Sequence, residues 1–219
     1  MSRGFSFLIG DVMKRPYPPK ELIEHDWCEE FLFEPAKDIH DWLHTNILNP
    51  SSKLYNKEHE HLVGHSGIGF LWAESAFTKQ GRIVLGQAEI IQIQAGGWKK
   101  YRQEAQMIKW FGFLPKALIT LDANYCSYCS DSDFMALVEH ELYHFKQKLS
   151  PNGGPCYDSH TGHAVLQMRG HDVEEFFGVV RRYGASADVQ RMADLANDGP
   201  TISRANIAHA CGTCLLKLA

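Results

Sequence analysis

Apolar positions recur along this chain with two periods. Between Glu21 and Phe33, the residues Leu22, Ile23, Trp27 and Phe31 fall at helical spacing. Pro35 opens a second helical stretch, in which Ile39, Trp42, Leu43 and Ile47 share a face and Asn49-Pro50-Ser51-Ser52 mark the stop. Tyr55 to His65 is polar and carries His59, His61 and His65; it reads as a solvated loop rather than as a metal or substrate contact. Ile68 to Trp72 and Arg82 to Ile93 are β-rich, and Lys79-Gln80-Gly81 between them predicts an antiparallel pair. Gly96-Gly97 breaks the chain. Trp98 to Phe113 then reads as an amphipathic helix with Tyr101, Ala105, Ile108 and Phe111 on one face, closed by Gly112 and Pro115. Ala117 to Leu121 is a short buried or edge strand.

The second half is punctuated differently. Phe134, Leu137, Val138, Leu142 and Phe145 give Phe134 to Gln147 the apolar face of a buried helix, with Asp131 or Ser132 as N-cap and Asp133 as a favourable first-turn charge. Ser150 to Gly162 is a long loop containing Pro151, Gly153, Gly154 and Pro155, a length that in a folded domain often has a function. His171 to Tyr183 reads as a helix with Gly184 as its C-cap, and Asp188 to Ala196 and Ser203 to Ala210 are further helical segments. The pattern predicts an α+β fold over residues 1–219 as one domain. Residues 1–50 form a helical N-terminal extension and residues 185–219 a helical tail.

The Phe134 to Gln147 helix carries His140-Glu141-Leu142-Tyr143-His144. Residues four apart share a helix face, so His140 and His144 present two imidazoles side by side, as two ligands of one tetrahedral Zn²⁺ require. Glu141 is placed to act as general base toward an activated water. A catalytic zinc needs a third protein ligand. His171 in Gly170-His171-Asp172 is the first choice, ahead of Glu175 and Glu174, with the loop residues His160 and His163 last. Asp172 is a candidate for orienting a ligand imidazole, or a competing ligand. Tyr143, Tyr157 and His160 are candidates to stabilise an oxyanion.

Taken together, His140-Glu141-x-x-His144 and Gly170-His171-Asp172-x-x-x-Phe176 resemble the SprT-like zincin arrangement. More closely, the chain resembles the family called putative phage metallopeptidases. The stretches that carry this are Leu71-Trp72, Val84 to Glu89, Trp110-Phe111-Gly112, Leu118 to Asp122, the His-Glu-Leu-Tyr-His segment, Arg169 to Phe176 and Val179 to Gly184. The resemblance implies a zincin-like fold: a small, mostly antiparallel sheet packed on the metal-bearing helix. It also implies zinc-dependent hydrolysis of a peptide or protein substrate in the cytoplasm of a bacterial host or phage-infected cell. It leaves the natural substrate open. A hydrolase of non-peptide bonds, or a binding or structural protein with zinc sites, are the alternative readings. Asp172 departs from the simplest SprT-like pattern, in which a Gly often follows the His.

Composition narrows the field. An apolar content of 44% and a charged content of 22% are ordinary for a globular protein. A net charge of -4 gives no overall basic footprint, so a DNA-linked role gains no support from charge; Lys99-Lys100-Tyr101-Arg102 and Arg181-Arg182 are only short patches. Phe5 to Ile9 is too short for a secretory signal core, and no apolar run is long enough to span a bilayer. The six cysteines of an intracellular protein argue for metal or thiol chemistry. Cys126-x-x-Cys129 and Cys211-x-x-Cys214 form a possible structural Zn²⁺ set that would tie the tail back to the loop before the metal-bearing helix, giving one catalytic and one structural zinc.

Overall fold

The computed structural model describes residues 14–24, 31–65, 67–79, 81–173 and 177–205. Its centre is a four-stranded sheet built from β1 (Phe33–Pro35), β2 (Ile68–Ala73), β6 (Ala117–Asp122) and β5 (Gly86–Ile90), in that spatial order. β1 pairs antiparallel with β2, and β5 antiparallel with β6, while β2 and β6 run parallel in the register Ile68↔Ala117 to Ala73↔Asp122. Two small antiparallel pairs complete the strands: β3 (Phe77–Lys79) with β4 (Arg82–Val84), and β7 (Phe145–Gln147) with β8 (Leu166–Met168). The architecture is α+β, with antiparallel pairing predominating.

Strand alternation sorts the two faces of the sheet. Ile68, Phe70, Trp72, Ile119 and Leu121 point into the core, where they meet Ile39, Trp42 and Leu43 of α2 (Lys37–Asn46) and Phe134, Leu137 and Val138 of α5 (Asp131–Tyr143). Phe134 lies edge-on to Trp42 at 5.5 Å between ring centroids, with Trp72 at 6.4 Å. On the opposite face Gly69 lies under Phe111 of α3 (Gly97–Phe111); a Cβ there would sit 3.1 Å from that ring. α5, the helix that carries His140, is thus packed into the core of the fold, and α3 is peripheral.

Several expectations change. The chain from Glu21 to Phe33 is not one helix: α1 covers only Lys20–Ile23, residues 25–30 lie outside the described residues, and Phe33–Pro35 is a strand. Pro35 explains the last point, because the residue before a proline is driven out of the helical region and Pro is tolerated on an edge strand. The N-terminal part is therefore woven into the main sheet and is not a purely helical extension. Ile68–Trp72 and Arg82–Ile93 do not pair with each other. β4 turns back through Gly81 (φ 76°) onto β3, and β5 joins β6. β6 is hydrogen-bonded on both sides, so it offers no edge; the edges of this sheet are β1 and β5. α3 buries none of its side chains fully, and Trp98 and Tyr101 are exposed.

Tyr55 to His65 is not a solvated loop. It forms a 3-10 helix over Lys57–Leu62, capped by the Asn56 side chain, and His59 and His65 are buried. The segment braces the end of α5. Asn56 Nδ2 donates to Glu139 Oε1 and to the Tyr143 hydroxyl, both at 3.0 Å. The His59 ring packs against Tyr143, tilted at 57° with centroids 4.5 Å apart, and His61 Nε2 donates to the Phe145 carbonyl at 2.8 Å. Further along, α6 (Phe177–Tyr183) begins later than expected and α7 spans Ala187–Asp198. Residues 201–205 are not helical.

Candidate metal centre

α5 starts at Ser130, whose side chain accepts from the Asp133 N–H; the cap lies one residue ahead of the candidates read from the sequence. Asp131 and Asp133 occupy the positive end of the helix, where carboxylates are favoured. The helix ends at His144, its C-cap, and the chain passes directly into β7. The Ser150–Gly162 loop is the outer part of a β7–β8 hairpin, extended by bridges between Leu149 and Pro155 and between Tyr157 and Ala164. The hairpin brings the chain back beside the helix end from which it left.

There two reciprocal bonds close the structure. The Arg169 N–H donates to the His144 carbonyl at 2.8 Å, and His144 Nδ1 donates to the Arg169 carbonyl at 2.8 Å. The second bond fixes the tautomer and the ring plane of His144, leaving Nε2 as its lone-pair nitrogen. Two residues later His171 stands in a non-helical stretch, with its Nε2 3.2 Å from His140 Nε2. One ligand atom from each of His140, His144 and His171 lies within 4.8 Å of the other two. Among the described residues this is the group of histidine, cysteine and acidic side chains with metal-binding spacing.

The three rings differ in setting. His144 is buried, His140 half-buried and His171 exposed. Burial, reinforced by the neighbouring His144 and His171, pulls the His140 pKa down to about 4, so the ring is neutral, as a ligand must be. The donor set of three imidazole nitrogens, one ring pinned by a backbone carbonyl, fits a borderline-soft divalent ion such as zinc. The rings line a cleft of about 330 Å³, together with Tyr143, Arg169, Gly170, Asp172, Val173 and, from α7, Met192.

Glu141 is completely buried. It lies against β5 at Gly86, where a Cβ would come within 2.8 Å of Glu141 Oε1. Glycine at this position is what lets the strand pass so near the carboxylate. Its role was not legible in the residue pattern, because nothing in a β-rich run marks which strand residue will face a helix.

The remaining candidates fall in different places. Asp172 ion-pairs with Arg169, and the carbonyl of Arg169 holds the His144 ring. Tyr143 lines the cleft, with its hydroxyl engaged by Asn56 and Glu58. Tyr157 is exposed on the hairpin; His160 is exposed on the turn that follows, its N–H donating to Asp158, and His163 stacks on His65. None of these three lines the cleft. Glu174 and Glu175 lie outside the described residues, as do Phe176, Cys211 and Cys214. Cys126 is buried and Cys129 half-buried at the corner before α5.

A helix-borne pair of histidines and a third brought in by a hairpin define a candidate metal centre; Glu141 follows His140 on the same helix, buried against β5 and outside the lining of the cleft. Comparison with known families agrees: residues 40–197 match the family described as "Putative phage metallopeptidase", and the chain belongs to that family. The match takes in all three histidines and Glu141. No curated protein and no solved structure matches the chain. Among the described residues no helix is long and apolar enough to cross a membrane.

Proposed function

We propose that the protein is a zinc metallopeptidase of phage or prophage type, with a zincin-like site in which His140, His144 and His171 hold the ion and Glu141 is the general base. The observation that carries the reading is the convergence of three imidazole nitrogens, two of them on the helix that also carries the buried Glu141. When bound, zinc supplies Lewis acidity that activates water and polarises the scissile carbonyl. The chain's own residues do the rest. Arg169 holds the His144 ring through its carbonyl, and Asn56, His59 and His61 hold the end of the helix. A Glu141 carboxylate oxygen takes the proton of the attacking water and returns it to the leaving amine. β5 passes over Glu141 and is one of the two edges of the sheet, so an extended peptide would add alongside it by main-chain hydrogen bonding.

The test is Glu141→Gln. It should keep the fold and the bound zinc while lowering hydrolysis of a fluorogenic peptide library by about 10²–10⁴-fold. Undiminished hydrolysis in that variant would remove the general-base role.

A further inference from the structure

A second cavity, of about 710 Å³, is more than twice the size of the histidine cleft and shares no residue with it. It opens at one end of the main sheet: β6 enters the sheet from Lys116, on the cavity wall, and leaves it at the other end into α4 (Ala123–Tyr128). The wall is largely apolar, with Phe70, Ile90, Ile91, Phe111, Leu114 and Leu166 facing the space. Its charged groups are not balanced. Asp41 pairs with His40 at 3.5 Å, and Asp158 accepts from the N–H groups of His160 and Thr161, both at 2.9 Å. Lys37 and Lys116 are exposed and have no ion-pair partner among the described residues. The cavity thus offers an apolar interior with unpaired positive charge at its mouth. That combination suits a ligand with large apolar groups and a carboxylate beside them.

Two strands lead from the metal centre to this cavity. β5 begins at Gly86, against Glu141, and ends at Ile90 on the cavity wall, a span of about 14 Å at the rise of a strand. β8 begins at Leu166, on the same wall, and Arg169, one residue past its end, lines the histidine cleft about 10 Å away. An extended peptide rises at the same rate as the strands beside it. Laid along β5 with its scissile bond at the histidines, it brings the third or fourth residue from that bond to the cavity. Side chains two apart in such a peptide point the same way. The volume lies in the range of whole small-molecule sites, so it suits two large side chains better than one.

We propose that this cavity is an anchoring subsite for the substrate: it selects peptides with large apolar side chains, flanked by a carboxylate, three to four residues from the scissile bond. Its place in a cleavage reaction rests on the peptidase reading, whereas its affinity for such a peptide does not. Contacts this far from the reacting bond act by holding the peptide in register with the histidines, and their effect is read in kcat/KM.

The experiment uses the full chain loaded with zinc. Binding is read by fluorescence anisotropy in Glu141→Gln, with dye-labelled peptides containing Glu-Phe-Ala-Phe-Glu, Glu-Ala-Ala-Ala-Glu or Lys-Phe-Ala-Phe-Lys. The first should bind at least about 10-fold more tightly than the second, and more tightly than the third. Leu114→Glu, at an exposed position of the wall, should collapse the preference for Phe over Ala; Lys37→Glu combined with Lys116→Glu should collapse the preference for Glu over Lys. Cleavage is read with Glu141 intact, on quenched peptides that join each segment to randomised residues on either side. The Phe segment should raise kcat/KM by about 10-fold or more over Ala. Cleavage without that preference overturns the proposal and leaves the peptidase reading standing. Pocket-dependent binding without cleavage of any peptide supports the peptide site and counts against the peptidase reading instead. Equal binding of the three peptides, or a preference for Phe unchanged in Leu114→Glu, overturns the proposal. So does binding of oleate that Leu114→Glu abolishes while no peptide binds, which would assign the cavity to a small amphiphile.

Discussion

His140 and His144 reach the cleft from a helix whose other face is core, whereas His171 reaches it from a stretch outside any described helix or strand. The first two are positioned by helix periodicity and by the burial of Phe134, Leu137, Val138 and Leu142. The third is positioned by the return of the β7–β8 hairpin and by the Arg169–His144 bonds. One side of the site is inseparable from the fold. The other is attached to it at a few points. Loss of a ligand should therefore mean different things on the two sides.

The sharpest test of that contrast is His144→Ala against His171→Ala. Each should reduce zinc affinity by more than the roughly 10–100-fold seen when a partner that only orients a ligand is lost. In metal-free protein they should part company. His144→Ala removes a buried, hydrogen-bonded ring and should cost about 1–3 kcal/mol in urea unfolding. His171→Ala, at an exposed position, should stay within about 0.5 kcal/mol of wild type. Equal stability losses would erase the distinction.

Gly86→Ala acts only on the helix side. The added methyl forces Glu141 or the strand to shift, and a displacement of this order should lower kcat by about 10²-fold with zinc content unchanged. Normal turnover would show that β5 gives way without disturbing the carboxylate.

The brace behind the helix predicts an acid-sensitive fold. Burial, followed by repulsion from His61, lowers the His59 pKa to about 4. The unfolded chain takes up that proton near 6.5. Between these values the unfolded state binds more protons than the native state, so this contribution is constant above pH 6.5 and stability falls as the pH drops toward 4. By pH 5 the loss from His59 is about 2 kcal/mol. Urea midpoints of metal-free protein at pH 7 and pH 5 should show that loss reduced by a similar amount in His59→Asn. An unchanged pH dependence in the variant would place the acid sensitivity elsewhere. The smallest effect belongs to the loosely attached side: Asp172→Asn breaks the ion pair with Arg169 and should change stability by less than about 1 kcal/mol, because Asp172 is largely exposed.

The two sides also differ in how far the sequence disclosed them. The His140–His144 pairing follows from four-residue spacing, and α2 and α5 followed from apolar periodicity, because a core helix writes its packing into its own residues. β6 could not be placed at the centre of the sheet from Ala117–Leu121, since a short apolar run looks alike at an edge or in the middle. Gly86 and the 3-10 brace escaped for the same reason: their meaning lies in what they touch. His59, His61 and His65 resemble loop histidines until Tyr143, Phe145 and Ala164 are brought against them. His171 was singled out from its Gly-His-Asp setting, but the hairpin that delivers it could not be read from a glycine- and proline-rich stretch.

The mutual bonds between His144 and Arg169 have a consequence for how the molecule can vary. They clamp both ends of the excursion from Phe145 to Met168, so its outer part is a closed loop whose ends stay put whatever its length. The entropy of closing such a loop grows only with the logarithm of its length, about 0.6 kcal/mol for each doubling. Residues inserted at the Ser150–Gly154 turn would cost little and leave the histidines where they are. The hairpin is in this sense a replaceable module: relatives can lengthen, trim or redecorate it while the chemistry beside it stays fixed.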